Sequence, residues 1–218
     1  MKLNEYIDHT LLKPDATHKD IERLCQEALK HKFASVCVAP YWVHLCLECL
    51  DNKIPITTVI GFPHGNSEES SKSQQIIEAI MDGATEMDVV INVGAIKSGR
   101  WEDVESEIEE VALTKKYRHA QSRSIKIKYI VEIGYLTDYE LFRVTDLLIE
   151  HKIDYVKTCT GYGPRGVEIE DIEKLKKHVG DRIGIKASGG IKTKEFCERL
   201  IKVGANRIGA SSSVKFMG

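Results

Sequence analysis

With 218 residues, 42% of them hydrophobic and 29% charged, the chain has the composition of an ordinary globular protein with enough length to bury one substantial core. A formal net charge of -2 and a pI near 6.5 give no general electrostatic case for a nucleic-acid partner. No apolar run approaches the roughly 18 residues needed to cross a bilayer, and the opening MKLNEYIDHT is too polar for a signal peptide, so no membrane association is expected.

Six cysteines without an export signal read as free thiols in a reducing compartment, the cytoplasm. Strand-like and helix-like segments then alternate from end to end. Residues 6–10 form a short strand candidate that holds Asp8 and His9. A helix follows, with Ile21, Leu24, Cys25, Ala28 and Leu29 on one stripe behind a Thr17-to-Asp20 capping pattern. Residues 34–38 are the second strand, 41–50 a helix and 56–60 the third strand. Ile76, Ile77 and Ile80 mark the next helix, and 86–92 the fourth strand. A long charged helix after Trp101 carries Val104, Ile108, Val111 and Ala112. Strand 127–132 is followed by a Thr137–Glu140 capping box ahead of Leu141, Val144 and Leu148. Strand 153–158 precedes Ile169, Ile172 and Leu175; strand 183–187 precedes Phe196, Leu200 and Val203; residues 206–209 are the eighth strand. Gly83, Gly180 and Gly204 terminate helices.

Strands separated by helices imply parallel pairing through right-handed crossovers. Eight of them in residues 1–218 fit an α/β fold of the compact (β/α)8 TIM barrel kind, as a single domain. An open doubly wound sheet is the alternative, but its Gly-rich dinucleotide fingerprint does not follow the first strand.

Alternate strand residues face opposite sides. Met87, Val89, Ile91 and Val93 face the helices, which turns Glu86, Asp88, Val90 and Asn92 inward. Ile183, Ile185 and Ala187 likewise leave Gly184, Lys186 and Ser188 inside. In the first strand Ile7 and Leu11 oppose Tyr6, Asp8 and Thr10; in the sixth, Val156 opposes Tyr155, Lys157 and Cys159, with Asp154 breaking the pattern. The barrel mouth therefore gathers Asp8, Asp88, Lys157 and Lys186 at the end where barrel active sites lie.

A lysine attacks a carbonyl only when neutral, and an ordinary value of about 10.4 leaves well under 1% neutral at pH 7. Two ammonium groups about 5 Å apart repel by roughly 3 kcal/mol at an effective dielectric of about 20, or about 2 pKa units. The drier of the two lysines is expected to be substantially neutral and ready to form a Schiff base, with Asp88 moving protons directly or through a water. Such parts suit carbon–carbon bond cleavage or formation through an enamine.

The segments DHTLL (8–12), VCVAP (36–40), EMDVVINVG (86–94), YVKTCTG (155–161), IKASGGI (185–191) and RIGASS (207–212) occur in collinear order. Together they resemble the deoxyribose-phosphate aldolase family. The resemblance implies that Lys157 forms the Schiff base, with Asp88 and Lys186 in proton transfer and amine activation. It implies reversible cleavage of 2-deoxy-D-ribose 5-phosphate to acetaldehyde and D-glyceraldehyde 3-phosphate without a cofactor or metal. It also implies a homo-oligomer.

Barrels often hold a substrate phosphate on the loops after strands seven and eight. Here these read Ser188-Gly189-Gly190-Ile191 and Gly209-Ala210-Ser211-Ser212, with glycines for close approach and hydroxyls as donors. Gly161 joins them, and Asp8 and Thr10 complete the expected substrate-binding set. Some relatives carry a lysine where this chain has Tyr162, so one phosphate-binding cation is missing there. The chain stops at Gly218, so a closing tail over the site is expected to be short or absent.

Simpler readings stand beside these. Asp8 either positions Lys186 or caps its strand, and Gly189 and Gly190 could serve only the turn. Cys46 and Cys49, with His44 nearby, form a CxxC that lacks the second half of a zinc site and reads as helix packing. Cys37 and Cys159 read as buried structural thiols, and His9 and His64 as local hydrogen-bonders. Two functional alternatives remain: a related Schiff-base aldolase for another sugar phosphate, and a phosphosugar-binding barrel without turnover.

Overall fold

The computed structural model describes residues 2–117 and 124–217; Gly218, and with it the expectation about the tail, lies outside them. Eight strands, β1 (Ile7–Leu11), β2 (Ser35–Val38), β3 (Ile56–Ile60), β4 (Glu86–Val90), β5 (Lys126–Ile130), β6 (Tyr155–Lys157), β7 (Gly184–Ser188) and β8 (Arg207–Ala210), pair in parallel in chain order. β8 returns to β1 through Asp8 opposite Gly209, which closes the barrel. The fold is the expected (β/α)8 barrel.

The outer layer comprises α1 (His18–His31), α2 (Val43–Leu50), α3 (Glu69–Asp82), α4 (Val93–Lys97), α5 (Trp101–Leu113), α6 (Asp138–Glu150), α7 (Ile169–Val179) and α8 (Lys194–Lys202). Both Thr-led capping boxes form, Thr17 with Asp20 and Thr137 with Glu140, so the first turns of α1 and α6 keep their backbone donors satisfied. Ile21, Leu24, Cys25 and Ala28 of α1 are buried against the strands, as are Leu141, Val144 and Leu148 of α6. On α8 the buried stripe is Cys197 and Leu200, while Phe196 and Val203 are only half-buried.

Strands β4, β5 and β6 are shorter than the sequence pattern suggests, each for a local reason. β4 stops at Val90 because the Asn92 side chain accepts from Ala95 N and caps α4. β5 stops at Ile130, and Glu132 adopts a left-handed φ of 49°. β6 shrinks to three residues, since the Asp154 carboxylate accepts from Ile127 N and pairs with Lys115 instead of leaving that stretch apolar. After β8 the chain makes a 3-10 turn over Ser213–Phe216. Among the described residues no helix is long and apolar enough to cross a membrane.

Apolar residues fill the space between strands and helices, including Ile7, Val36, Met87, Val89, Ile127, Val156, Ile185 and Ile208. The barrel interior is different. Where such barrels usually stack branched apolar side chains, this one buries Asp8, Ser35, Thr57, Glu86, Asp88, Lys128, Lys157, Lys186 and Arg207.

The loop between β3 and α3 crosses close to the end of β4. A Cβ on Gly65, at φ +69°, would stand 2.1 Å from the Ile91 carbonyl oxygen. Gly99 has the same φ with nothing within 4 Å. Gly65→Ala is therefore expected to lower the unfolding free energy by about 3 kcal/mol or more, and Gly99→Ala by about 1 kcal/mol, both from urea denaturation. Equal effects would contradict the close approach.

Candidate active site

The charged interior is one connected network. Lys157, at the C-terminal end of β6, donates to Asp88 Oδ2 at 2.8 Å, and Lys186 of β7 donates to the same oxygen at 2.6 Å. Lys186 also pairs with Asp8 Oδ2 at 2.5 Å. The two lysines thus meet as strand parity predicts, but with a carboxylate oxygen between them.

Two further cations belong to this network, and the sequence reading did not single them out. Lys128 of β5 lies 2.7 Å from Glu86, 3.1 Å from Asp88 and 3.7 Å from Asp8. Arg207 of β8 lies 2.5 Å from Asp8 and 2.8 Å from Glu86. Their signal was present: Ile127 and Tyr129 face the helices and leave Lys128 inside, and Ile208 and Ala210 do the same for Arg207.

The three carboxylates and Lys186 are held charged by their neighbours against the cost of burial. Burial alone would raise the Asp88 carboxyl, but Lys128, Lys157 and Lys186 hold it far below the usual carboxylate range. Asp8 is likewise held low by Arg207, Lys186 and Lys128, in opposition to burial. Glu86 is lowered too, because Lys128 and Arg207 outweigh its burial and the repulsion of Asp8. Burial would lower the Lys186 amine, yet Asp8 and Asp88 outweigh it and hold Lys186 above its ordinary value.

This corrects one expectation. Lys186 is the drier lysine, 0% exposed against 3% for Lys157. It stays protonated rather than neutral, because repulsion from a second ammonium is smaller than attraction to two carboxylates.

Above the network a cavity of about 320 Å³ opens at the C-terminal end of the barrel. Lys157 is on its wall with Thr10, Gly161, Ser188, Gly189, Gly190, Gly209, Ser211 and Ser212. Gly189 and Gly190 have φ of 92° and 77°, so the turn that brings their backbone to the cavity demands glycine. Asp8 is not on this wall. It lies beneath, paired with Lys186 and Arg207, and Ser35 donates to it at 2.7 Å. Asp88 and Lys186 also lie below, so only Lys157 of the charged set faces the cavity.

The cavity has walls the sequence did not announce, namely Leu12, Thr160, Lys192 and Lys215. Thr160 is held by Glu132, which accepts from its backbone N at 3.1 Å and from its hydroxyl. Tyr162 carries no cation into the site; its hydroxyl donates to the Leu12 carbonyl at 3.3 Å and its ring meets Phe62 edge-on.

The cysteines and His9 take structural places. Burial pushes the Cys37 thiol up to about 11 and the Cys159 thiol up to about 12. Cys46 is buried where α2 packs on α1, beside Cys25. His9 is hydrogen-bonded to Ser213 at 2.7 Å and Glu27 at 2.8 Å, and His64 is exposed.

The network links stability to acid. Carboxyls whose folded values are depressed stabilise fully above the unfolded values near 4, and that contribution is lost as pH falls through the folded ones. The urea midpoint should stay level from about pH 7 to pH 5 and drop steeply below about pH 4. Arg207→Met, which takes one cation from each of two buried carboxylates, should cost about 3 kcal/mol at pH 7. A midpoint unchanged down to about pH 3 would contradict the network.

Known proteins bear on this geometry. The DeoC/LacD family aldolase description matches residues 3–218. The deoxyribose-phosphate aldolase of Brevibacillus brevis is 46% identical over 218 residues, covering 100% of this chain and 96% of that protein. The solved structure of QR15, an aldolase, matches with a TM-score of 0.90 at 36% identity, over 98% of this chain and 93% of that one. The deoxyribose phosphate aldolase of Aeropyrum pernix, described as a unique tetrameric structure, matches with a TM-score of 0.87 at 30% identity, over 99% and 89%. A barrel whose mouth holds a lysine on a shared carboxylate, matched along nearly its full length, identifies the chain as a member of the DeoC/LacD aldolase family.

Proposed function

We propose that the chain cleaves 2-deoxy-D-ribose 5-phosphate reversibly to acetaldehyde and D-glyceraldehyde 3-phosphate, with Lys157 as the Schiff-base lysine. The observation that carries this reading is the charge count of the barrel interior. Among the described residues, four buried cations (Lys128, Lys157, Lys186, Arg207) face three buried carboxylates (Asp8, Glu86, Asp88). One positive charge is in excess. Lys128 touches three of the carboxylates and Lys186 and Arg207 two each, whereas Lys157 touches Asp88 alone. Giving up the Lys157 proton therefore loses the fewest attractive contacts, and Lys157 is also the one that reaches the cavity.

The reaction follows from that arrangement. The neutral Lys157 amine adds to the C1 aldehyde of the open-chain sugar, giving a carbinolamine. Loss of its hydroxyl as water leaves a protonated imine. The Lys186 ammonium, linked to Lys157 through Asp88 Oδ2, is the proton source on this path. The C2–C3 bond then breaks, with its electron pair forming an enamine on the C1–C2 side. The C3 hydroxyl passes its proton, through water, back to Lys186, which gave one up when the carbinolamine lost water, and becomes the aldehyde of glyceraldehyde 3-phosphate. Protonation at C2 and hydrolysis release acetaldehyde and restore the Lys157 amine.

Asp88 holds the two amines and passes protons between them; flanked by cations, it is a weak base on its own. Asp8 acts as a positioning residue for Lys186. The loops at 188–191 and 209–212, with Gly161 and Thr10, take the phosphate end of the sugar. A phosphosugar binder without turnover needs no amine able to give up its proton, whereas Lys157 faces the cavity with a single carboxylate contact. The likeness to the Aeropyrum pernix enzyme supports a homo-oligomer, and six free cysteines support a reducing, cytoplasmic compartment.

Incubation with acetaldehyde and borohydride, followed by peptide mass mapping, should place the reduced adduct on Lys157; an adduct on another lysine overturns the assignment. Lys186→Leu removes the cation across Asp88. It should slow adduct formation at pH 7 by about tenfold or more and move its half-maximal rate to higher pH by about one unit. An unchanged pH profile would show that the two lysines are not coupled.

A further inference from the structure

We infer that Lys215 is the residue that makes this active site prefer a phosphorylated sugar to the same sugar without its phosphate. This rests on the phosphate reading of the cavity given above and assigns the part of that site which supplies the discriminating charge.

The cavity wall contains three lysines, Lys157, Lys192 and Lys215, and no carboxylate. Lys157 is at its floor, tied to Asp88 and committed to the carbonyl carbon. Charge for the far end of the substrate must come from the rim. Tyr162 does not supply it, since its phenol is turned to the Leu12 carbonyl.

Lys215 has the geometry of a fixed arm. It sits on the 3-10 turn directly after Ser211 and Ser212, and its backbone N donates to Ser212 O at 3.0 Å. Its neighbours anchor that turn. Phe216 is buried, and buried Ser213 donates to Ala210 O at 2.9 Å and bonds to His9 at 2.7 Å. The Lys215 side chain itself is exposed at the cavity.

The nearest acids do not neutralise it. On its other side Lys215 lines a second hollow that contains Asp20 and Glu27. Asp20 is taken by Arg23 at 2.6 Å and by the α1 cap, and Glu27 by His9 at 2.8 Å. Among the described residues no carboxylate pairs with Lys215. An ammonium on a rigid base, beside hydroxyls and glycine backbone, fits a phosphate monoester dianion.

The test compares kcat/KM for 2-deoxyribose 5-phosphate with kcat/KM for 2-deoxyribose in wild type, Lys215→Ala and Lys215→Arg. The ratio should fall about tenfold in Lys215→Ala, through a higher KM for the phosphorylated sugar, and the loss should shrink as salt is raised. Lys215→Arg should restore most of the ratio. Inorganic phosphate should also inhibit Lys215→Ala about tenfold less strongly than wild type. A ratio within twofold of wild type in Lys215→Ala overturns the assignment to Lys215. A wild type that does not discriminate between the two sugars overturns instead the phosphate reading on which it rests.

Discussion

One oxygen atom organises this protein. Asp88 Oδ2 accepts from Lys157 at 2.8 Å and from Lys186 at 2.6 Å, so two ammonium groups that would repel each other are held on a common anion. Two cations sharing one acceptor cannot both be fully satisfied, and the network resolves the conflict by position. Lys186 is also gripped by Asp8 and stays charged. Lys157 has only the shared oxygen and faces the cavity. The nucleophile is thereby distinguished from the other amines by its contacts, although all of them lie within one small interior.

A closed barrel makes this affordable only because its stability comes from elsewhere. Each strand turns one face to a continuous apolar layer against the helices, where Ile7, Val89, Val156 and Ile185 are fully buried. The inner face is then free to carry charge, provided every carboxylate has a cation. Arg207 and Lys128, below the mouth, do that for Asp8 and Glu86 and so keep Asp8 available to hold Lys186. Their contribution to chemistry is indirect: without them, Glu86 would lose its two closest cations, and Asp8 and Asp88 would have only Lys157 and Lys186 to share.

Much of this was readable from residue order. Alternation along the strands is a rigid geometric rule, and it turned Asp8, Asp88, Lys157 and Lys186 inward as observed. The same rule applied to KIKYI and RIGA turns Lys128 and Arg207 inward as well, so both are legible in the sequence. Other features were out of reach. Asn92 looks like the end of a strand until its side chain is seen capping α4. Glu132 looks like a strand residue until its left-handed backbone aims it at Thr160. Lys192 and Lys215 are ordinary surface lysines in sequence, because the cavity they border exists only once the loops after β1, β6, β7 and β8 converge. Lys186 stays protonated because Asp8 and Asp88 together outweigh the repulsion of its neighbouring cations, a balance that strand parity alone does not reveal.

The claim on which the account stands is that Asp88 couples the two amines, and side-chain 15N titration of the lysines in wild type and Asp88→Asn tests it most directly. The account predicts that both the Lys157 and the Lys186 resonances change their titration when the carboxylate is neutralised. If either amine titrates identically with and without the Asp88 charge, the shared oxygen does not govern this site.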